Sequence, residues 1–226
     1  PDNIGTSYIR ISNISLVGDN IANFGFKTSK HISSNPNYSS GHFIIEKCTF
    51  TGFKDTAIAI YYGWTMTIRD TTIYNSGVGI LLDDRANNAN ITCCSIAQCG
   101  IGIKAYRGES MNITGCGIES CSKAGLIVAT TVNANIKDCY FELNGISGIP
   151  LTGSLSNITV KSSIILTGNP DSSSLEIANI GYPNKNTMIV GNSFYGGSRE
   201  DLSFIFMSAV DGVTIENNTK YYFSTP

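Results

Sequence analysis

Charge is scarce in this chain of 226 residues. Asp, Glu, Lys and Arg together make up 14 % of it and the formal net charge is −2, which leaves no polycationic surface for nucleic acid or for an anionic membrane. There are 2 histidines, 1 tryptophan and 6 prolines. No apolar run exceeds a few residues, so no membrane-inserted helix can be drawn. The opening PDNIGTSYIRIS has neither the basic start nor the apolar stretch of an export signal. It reads as the middle of a structure, and the chain is expected to be a piece of a longer polypeptide. No segment keeps a helical apolar period for three turns. The CxxC pairs that mark zinc sites are missing although the chain has 7 cysteines.

What is present is 23 glycines among many Asn, Ser, Thr and Ile residues, a mixture suited to short strands and tight turns. These are arranged in a repeat. With one isoleucine per unit as anchor (Ile45, Ile68, Ile91, Ile113, Ile136, Ile158, Ile189), the spacings are 23, 23, 22, 23, 22 and 31. Three positions on stand Cys48, Thr71, Cys94, Cys116, Cys139, Lys161 and Asn192. Five on stand Phe50, Ile73, Ile96, Ile118 and Phe141, then Phe194 after a break at Ser163. One position before the anchor stand Asn90, Asn112, Asn135 and Asn157, where a turn would enter the strand. The second half of each unit repeats as AIAIYY, VGILLDD, IGIKAY, AGLIVA and SGIPLT. Ile215 and Asn218 are a last echo before the pattern fades.

A unit this short, with several strands and no helix, cannot bury its own apolar face, but stacked units can. The expectation is an all-β, single-stranded parallel β-helix over residues 1–226 with coils of about 22–23 residues, in which equal positions form ladders. A leucine-rich horseshoe has a similar period, but its LxxLxLxxN run is missing. Two stretches with loop chemistry, at about 27–42 and 167–174, are expected excursions from the stack.

The cysteines fall into that scheme. Cys48, Cys94, Cys116 and Cys139 share one column and Cys99 and Cys121 another, as small apolar residues packed in interior corners. Stacked neighbours lie within disulfide range, but their Cβ vectors run parallel, so free thiols are expected, with Cys93 pointing outward. No metal and no cofactor is implied. The Asn-Ile-Thr sequons at 90–92 and 112–114 are explained by the ladder.

In the strand after the glycine turn the inward residues are Ile58, Ile60 and Tyr62, then Val78, Ile80 and Leu82, then Ile101, Ile103 and Ala105. Tyr61, Trp64, Asp83, Asp84, Arg85, Lys104, Tyr106, Arg107 and Glu109 are left outward or at the edge on three successive coils. Aromatic faces stack on sugar rings, and carboxylates and cations bind hydroxyls or uronates. Glycoside hydrolysis needs two carboxyl groups, about 5 Å apart for retention and about 6.5–9.5 Å for inversion. Asp83 or Asp84 with Glu109 fits the wider spacing, with Tyr61, Trp64, Arg85, Lys104, Tyr106 and Arg107 as substrate contacts. Glu119 and Glu142, stacked about 5 Å apart beside Tyr140 and Tyr74, are a second choice for a retaining pair. A lyase would instead use Lys104 or Arg107 against a uronate and Tyr106 as base. His31 and His42, in the early excursion, have no assigned role.

The NITxCxIxxCxxGI coils, the YIRISNISLVGDN opening and the Ser/Asn-rich turns resemble the right-handed parallel β-helix of pectate-lyase-like proteins, and most of all the central domain of bacteriophage tailspikes. The NTD, GHG and RIK motifs of polygalacturonases and the RxPxxR element of pectate lyases are missing. The resemblance implies a homotrimer in the virion tail, assembled in the host cytoplasm. It would bind a capsule or O-antigen polysaccharide and probe or cleave it at host attachment, by hydrolysis in the leading reading. The alternatives are a polysaccharide lyase and a non-catalytic receptor-binding or shaft segment.

Overall fold

The computed structural model of the chain describes residues 8–28, 41–129, 132–144, 149–152, 159–161, 164–167, 175–178, 187–196, 205–208 and 213–222. Three parallel sheets run along it, two of nine strands and one of eight. Each coil gives one strand to each sheet in turn. Thr65–Arg69 lies in the first, Thr72–Tyr74 in the second and Val78–Ala86 in the third, after which Ala89–Thr92 returns to pair with Thr65–Arg69. This is the parallel β-solenoid the repeat calls for. No helix among the described residues is long and apolar enough to cross a membrane.

The anchors are rungs of the first sheet: Ile11 pairs with Ile45, and Ile45, Ile68, Ile91, Ile113 and Ile136 follow in register. The second sheet stacks Phe50, Ile73, Ile96, Ile118 and Phe141, and the third stacks Ile58, Ile80, Ile103 and Leu126. These last two columns are fully buried. Each such side chain removed from water stabilises the fold by about 1.5–3 kcal/mol.

One anchor is misplaced by the sequence reading. Ile136 pairs with Val160, not Ile158, and Asn135 with Thr159, not Asn157. The apolar column therefore runs Phe141, Ile165, Phe194 without a break at Ser163, and Lys161 pairs with Lys137 in the first sheet instead of joining the cysteine column. A shift of two residues keeps every side chain on its own face, so both registers satisfy the hydrophobic pattern.

All three corners carry left-handed residues: Asn88, Ser110 and Asn133 stand in one column at the corner between the third and first sheets, and the other two corners have longer columns. Lys47, Asp70, Cys93, Gly115 and Asp138 form one such column, and Gly52, Asn75, Gln98, Ser120 and Leu143 the other, with φ between 49° and 70°. A non-glycine residue in that region costs roughly 1–2 kcal/mol, and the next residue offsets it by tying down corner carbonyls. Cys94 Sγ donates to Thr92 O at 3.4 Å and to Ile68 O of the preceding coil at 3.6 Å, and Cys116 and Cys139 repeat the pattern. Where cysteine is replaced, a hydroxyl or amide makes equivalent bonds: Thr71 Oγ1 donates to Arg69 O at 2.9 Å, and Asn218 Nδ2 to Ile189 O at 2.8 Å. All seven cysteines are free, six buried and Cys93 exposed. Burial pushes the Cys99 thiol up to about 11 and the Cys121 thiol up to about 12, so neither is a reactive thiolate at neutral pH.

Asn90, Asn112 and Asn135 do not sit at a turn. They lie within strands of the first sheet, between buried neighbours, and Asn112 Nδ2 donates to Asn90 Oδ1 at 3.2 Å. In the third sheet Gly79 and Gly102 allow close stacking, since a Cβ at either would lie 2.5 Å or 2.4 Å from the next coil's glycine carbonyl. Lys27 and His42 end and begin strands (Phe24–Lys27 and His42–Glu46), so His42 is an exposed strand residue and no part of a loop. His31 and residues 29–40 and 168–174 lie outside the described residues.

Candidate functional site

The third sheet is regular until Leu82. Ile60 pairs with Leu82, but Tyr62 pairs with Arg85, so Asp83 and Asp84 together face the single residue Tyr61. This is a β-bulge, a device that bends a strand and re-aims its side chains. It falls on the acidic pair singled out in the sequence. Asp83 is half-buried; the side chains of Asp84 and Arg85 lie outside the described residues.

Tyr61 is not the exposed stacking platform expected. It is 8 % exposed, within a strand buried along its whole length. Its amide donates to Thr28 Oγ1 at 2.9 Å, and Lys27 Nζ lies 5.6 Å from its ring and 4.1 Å from that of Phe24. Burial, followed by the charges of Asp55 and Asp83, raises its hydroxyl above the ordinary tyrosine value. Alternation in the sequence suggests an outward Tyr61, but alternation says nothing about what covers a residue.

In the next coil Lys104 and Tyr106 alternate outward from the buried Ile103 and Ala105. Lys104 is flanked in register by Leu81 and Ile127, and Tyr106 by Ala129. The chain then turns at Arg107, a left-handed residue with φ 59° whose Cζ lies 4.9 Å from the Tyr106 ring centroid. Leu82 pairs with Ala105, so Asp83 stands one rung, about 4.8 Å, from the level of Tyr106.

The corner between the third and first sheets completes the group. Trp64, 53 % exposed, occupies it in one coil. Met66 pairs with Ala89 and Asn90 with Asn112, so counting two residues back from Met66 and Ala89, and three from Asn112, puts Trp64, Asn87 and Glu109 in one column. Hydrogen bonds agree: Asn87 N donates to Gly63 O at 2.8 Å, Asn88 N to Glu109 O at 2.7 Å, and Glu109 N to Asn87 Oδ1 at 3.2 Å. Glu109 is exposed, and three residues, at most about 10 Å of chain, separate it from Tyr106. Asn87 was missed in the sequence, although Trp64, Asn87 and Glu109 each stand four residues before the anchors Ile68, Ile91 and Ile113.

The second pair is a regular rung. Glu119 and Glu142 pair in the second sheet, and Tyr140 Oη donates to Glu142 Oε2 at 2.8 Å. That bond, then burial and the two carboxylates, raises the Tyr140 hydroxyl. Tyr74 lies two rungs from Glu119, through Ala97.

A third charged group went unread in the sequence. Glu46, on the outer side of the first sheet, has a side chain only 4 % exposed and is clamped by Arg10 and Arg69 from the coils on either side, both Nε atoms at 2.7 Å. Hydrogen bonds from Arg69 and then Arg10 hold its carboxyl below the usual range. Both partners already saturate it, so it is a staple between coils. No group of three or more His, Cys, Asp or Glu residues that could hold a metal occurs among the described residues.

Residues 32–194 match the family described as the right handed beta helix region. The chain belongs to that right-handed β-helix family. No curated protein matches it by sequence. Among solved structures, this β-helix is similar to the A-module of the mannuronan C-5 epimerase AlgE4 from Azotobacter vinelandii, with a TM-score of 0.61 and 14 % identity over 95 % of this chain and 74 % of that one. It is similar to the DFA-IIIase of Arthrobacter chlorophenolicus A6 in complex with DFA-III, at 0.64 and 14 %, over 92 % of this chain and 60 % of that one. The third is XylC in complex with xylose, at 0.56 and 14 %, over 74 % of this chain and 31 % of that one. At such identities the likeness is one of fold.

Proposed function

We propose that this β-helix binds and cleaves a bacterial surface polysaccharide, capsule or O-antigen, as the central domain of a phage tailspike acting by glycoside hydrolysis. The observation that carries the reading is the bulge at Asp83–Asp84. It breaks an otherwise regular ladder next to Tyr106, Arg107 and the Trp64–Asn87–Glu109 corner. One rung across and at most about 10 Å along separate Asp83 from Glu109 at the backbone. Their side chains can therefore stand at the ~6.5–9.5 Å of an inverting pair. Trp64 and Tyr106 offer faces to sugar rings, and Asn87 offers polar contacts. Two of the structurally similar proteins are named for carbohydrate ligands or substrates, xylose and mannuronan, which supports the substrate class. The tailspike role, with a homotrimer in the virion tail assembled in the host cytoplasm, rests on the resemblance of the coils.

The test is to incubate the protein with bacterial capsular and O-antigen polysaccharides and follow new reducing ends. Asp83→Asn, Asp84→Asn and Glu109→Gln are compared, with Glu119→Gln and Glu142→Gln as the competing pair. Undiminished cleavage by the first three variants rejects the corner. A second reading, a lyase, is favoured by the grouping of Tyr106 with Lys104 and Arg107. Its product would be unsaturated and absorb in the near ultraviolet. Binding without any shortening would instead mark a receptor-binding segment.

A further inference from the structure

The thiols of this chain divide into stacked and unstacked ones. Cys94, Cys116 and Cys139 occupy consecutive rungs, each one residue before the in-register positions Ser95, Gly117 and Tyr140. The main chain repeats with them, since Gly117 N donates to Cys94 O and Tyr140 N to Cys116 O, both at 2.9 Å. Each sulfur meets the carbonyl two residues before it and one carbonyl of the preceding coil, so the three side chains point the same way. Cys116 is bonded through its side chain to both Cys94 and Cys139. Cys48 is buried in the same column, but Thr71 stands between it and Cys94. Cys93 is exposed at the same corner, directly before Cys94. In the next coil Gly115 takes that position, where a Cβ would meet only Cys93 Sγ, at 3.7 Å. The wall outside Cys94 and Cys116 is therefore thin, and an accessible thiol stands beside it.

We infer that Cys94 and Cys116 form a two-coordinate site for a soft monovalent cation of the copper(I) class, with Cys93 as the thiol through which the ion enters. Sulfur ligands select such ions. Rungs lie about 4.7–4.9 Å apart, and two metal–sulfur bonds of about 2.3 Å placed end to end span nearly that distance. Three sulfurs in a line cannot converge on one ion, so tetrahedral zinc does not fit, in keeping with the lack of any three-ligand group among the described residues. A pair of facing sulfurs needs no such convergence. One ion displaces one proton: a thiolate on one rung and the thiol on the next share it, and the buried corner stays neutral, as its apolar surroundings require. Cys139, bonded to Cys116 from the following rung, orients that sulfur as an outer partner orients a metal ligand. This site lies on a different corner from Asp83 and Glu109 and does not depend on the polysaccharide reading.

The experiment titrates the folded, reduced protein anaerobically with copper(I) against a chromophoric copper(I) chelator, and with silver(I) as a second soft monovalent ion. Wild type is compared with Cys94→Thr, Cys116→Thr, Cys48→Thr and Cys93→Ser; threonine is chosen because Thr71 already fills this column. The expected result is one tightly held ion per chain, one proton released per ion, and an X-ray absorption spectrum with two sulfur neighbours. Cys94→Thr and Cys116→Thr lower the affinity at least ~10-fold, Cys48→Thr leaves it unchanged, and Cys93→Ser slows uptake without weakening it. Unfolding curves are run alongside. Should a threonine variant fail to fold, the wild-type absorption spectrum decides, and fewer than two sulfur neighbours overturns the inference. It is also overturned if Cys94→Thr and Cys116→Thr hold copper as well as wild type, if Cys93→Ser alone abolishes binding, or if uptake occurs only in denaturant. The ion would then be adventitious, held by an exposed or unfolded thiol.

Discussion

The corner between the first and second sheets and the corner between the third and first are made from the same repeat but behave differently. At the first, coil after coil shows a left-handed residue followed by a Cys, Thr or Asn whose side chain donates to one or both of two corner carbonyls. At the second, three successive coils place Trp64, Asn87 and Glu109, with a bulge just before Asn87 and a left-handed Arg107 just before Glu109. A ladder needs like residues at equal positions to stack them without strain. The backbone of the second corner does repeat, with left-handed Asn88, Ser110 and Asn133 in one column, but its outward side chains change from coil to coil, and departures of this kind concentrate where a chain does something besides fold. The difference separates residues that maintain the solenoid from residues available for chemistry.

The largest effect that would break this comparison is catalytic. Glu109→Gln or Asp83→Asn should lower polysaccharide cleavage by about 10²–10⁴-fold, the span of a general acid or base, while the circular dichroism spectrum and urea midpoint stay close to wild type. Asp83 and Glu109 lie outside the apolar columns, so loss of fold with loss of activity would mean the irregular corner is structural after all. On the regular side, Phe141→Ala empties a rung that is 0 % exposed and should cost about 3–5 kcal/mol in urea unfolding.

A smaller effect tests the cysteine ladder. Cys94→Thr retains a donor to the corner carbonyls, as Thr71 does one coil before, and should cost less than ~1 kcal/mol. Cys94→Leu overfills the corner and should cost about 1–3 kcal/mol. A thiol reagent at neutral pH should modify Cys93 alone in the folded protein and all seven cysteines in denaturant, because the other thiols are buried and Cys99 and Cys121 are pushed up to about 11 and 12.

Much of this fold is written in the columns. The Ile, Phe and Cys ladders are visible because stacking imposes identical surroundings on equal positions, and Cys93 outward next to Cys94 inward follows from the strand period. The register at Val160 was not visible, since Ile158 satisfies the same face. The site was legible only in part. Trp64, Tyr106, Arg107 and Glu109 stand out by type, but Tyr61 is buried by neighbours that its own alternation does not encode, and Asn87, four residues before Ile91 as Trp64 is before Ile68 and Glu109 before Ile113, stood in a legible column that went unread. Glu46 illustrates a signal that was present and unread: Arg69 stands 23 positions on, in the same column, and a carboxylate and a guanidinium one coil apart should have been paired.

That staple gives a pH test of the regular part. The Glu46 carboxyl is lowered in the folded protein by its bonds to Arg69 and Arg10. Its contribution to stability is therefore complete above the ordinary glutamate value, about 4.3, and is lost as pH falls through the lower folded value. The urea midpoint of wild type should drop across that acidic window. Glu46→Gln should be less stable at neutral pH and lose less of its midpoint on acidification, which a pH series of unfolding curves would check. Equal acid limbs in the two proteins would mean the clamp contributes nothing.

The smallest expected effect separates the two carboxylate pairs. Glu119 and Glu142 have the closer spacing, and Tyr140 gives Glu142 a hydrogen-bonded partner, so by distance alone they would be the retaining pair. The ladder is interrupted beside them too, by a register shift between Phe141 and Asn144, but Gly117 next to them has only open space where a side chain would be. Glu119 is exposed and its like-charged partner Glu142 is half-buried, and removing the exposed one should change stability by no more than about 0.5 kcal/mol. Glu119→Gln should therefore leave both the unfolding midpoint and the cleavage rate where they are. A hundredfold loss of cleavage in Glu119→Gln, with Glu109→Gln fully active, would transfer the chemistry to the second sheet, beside the register shift at Phe141–Asn144.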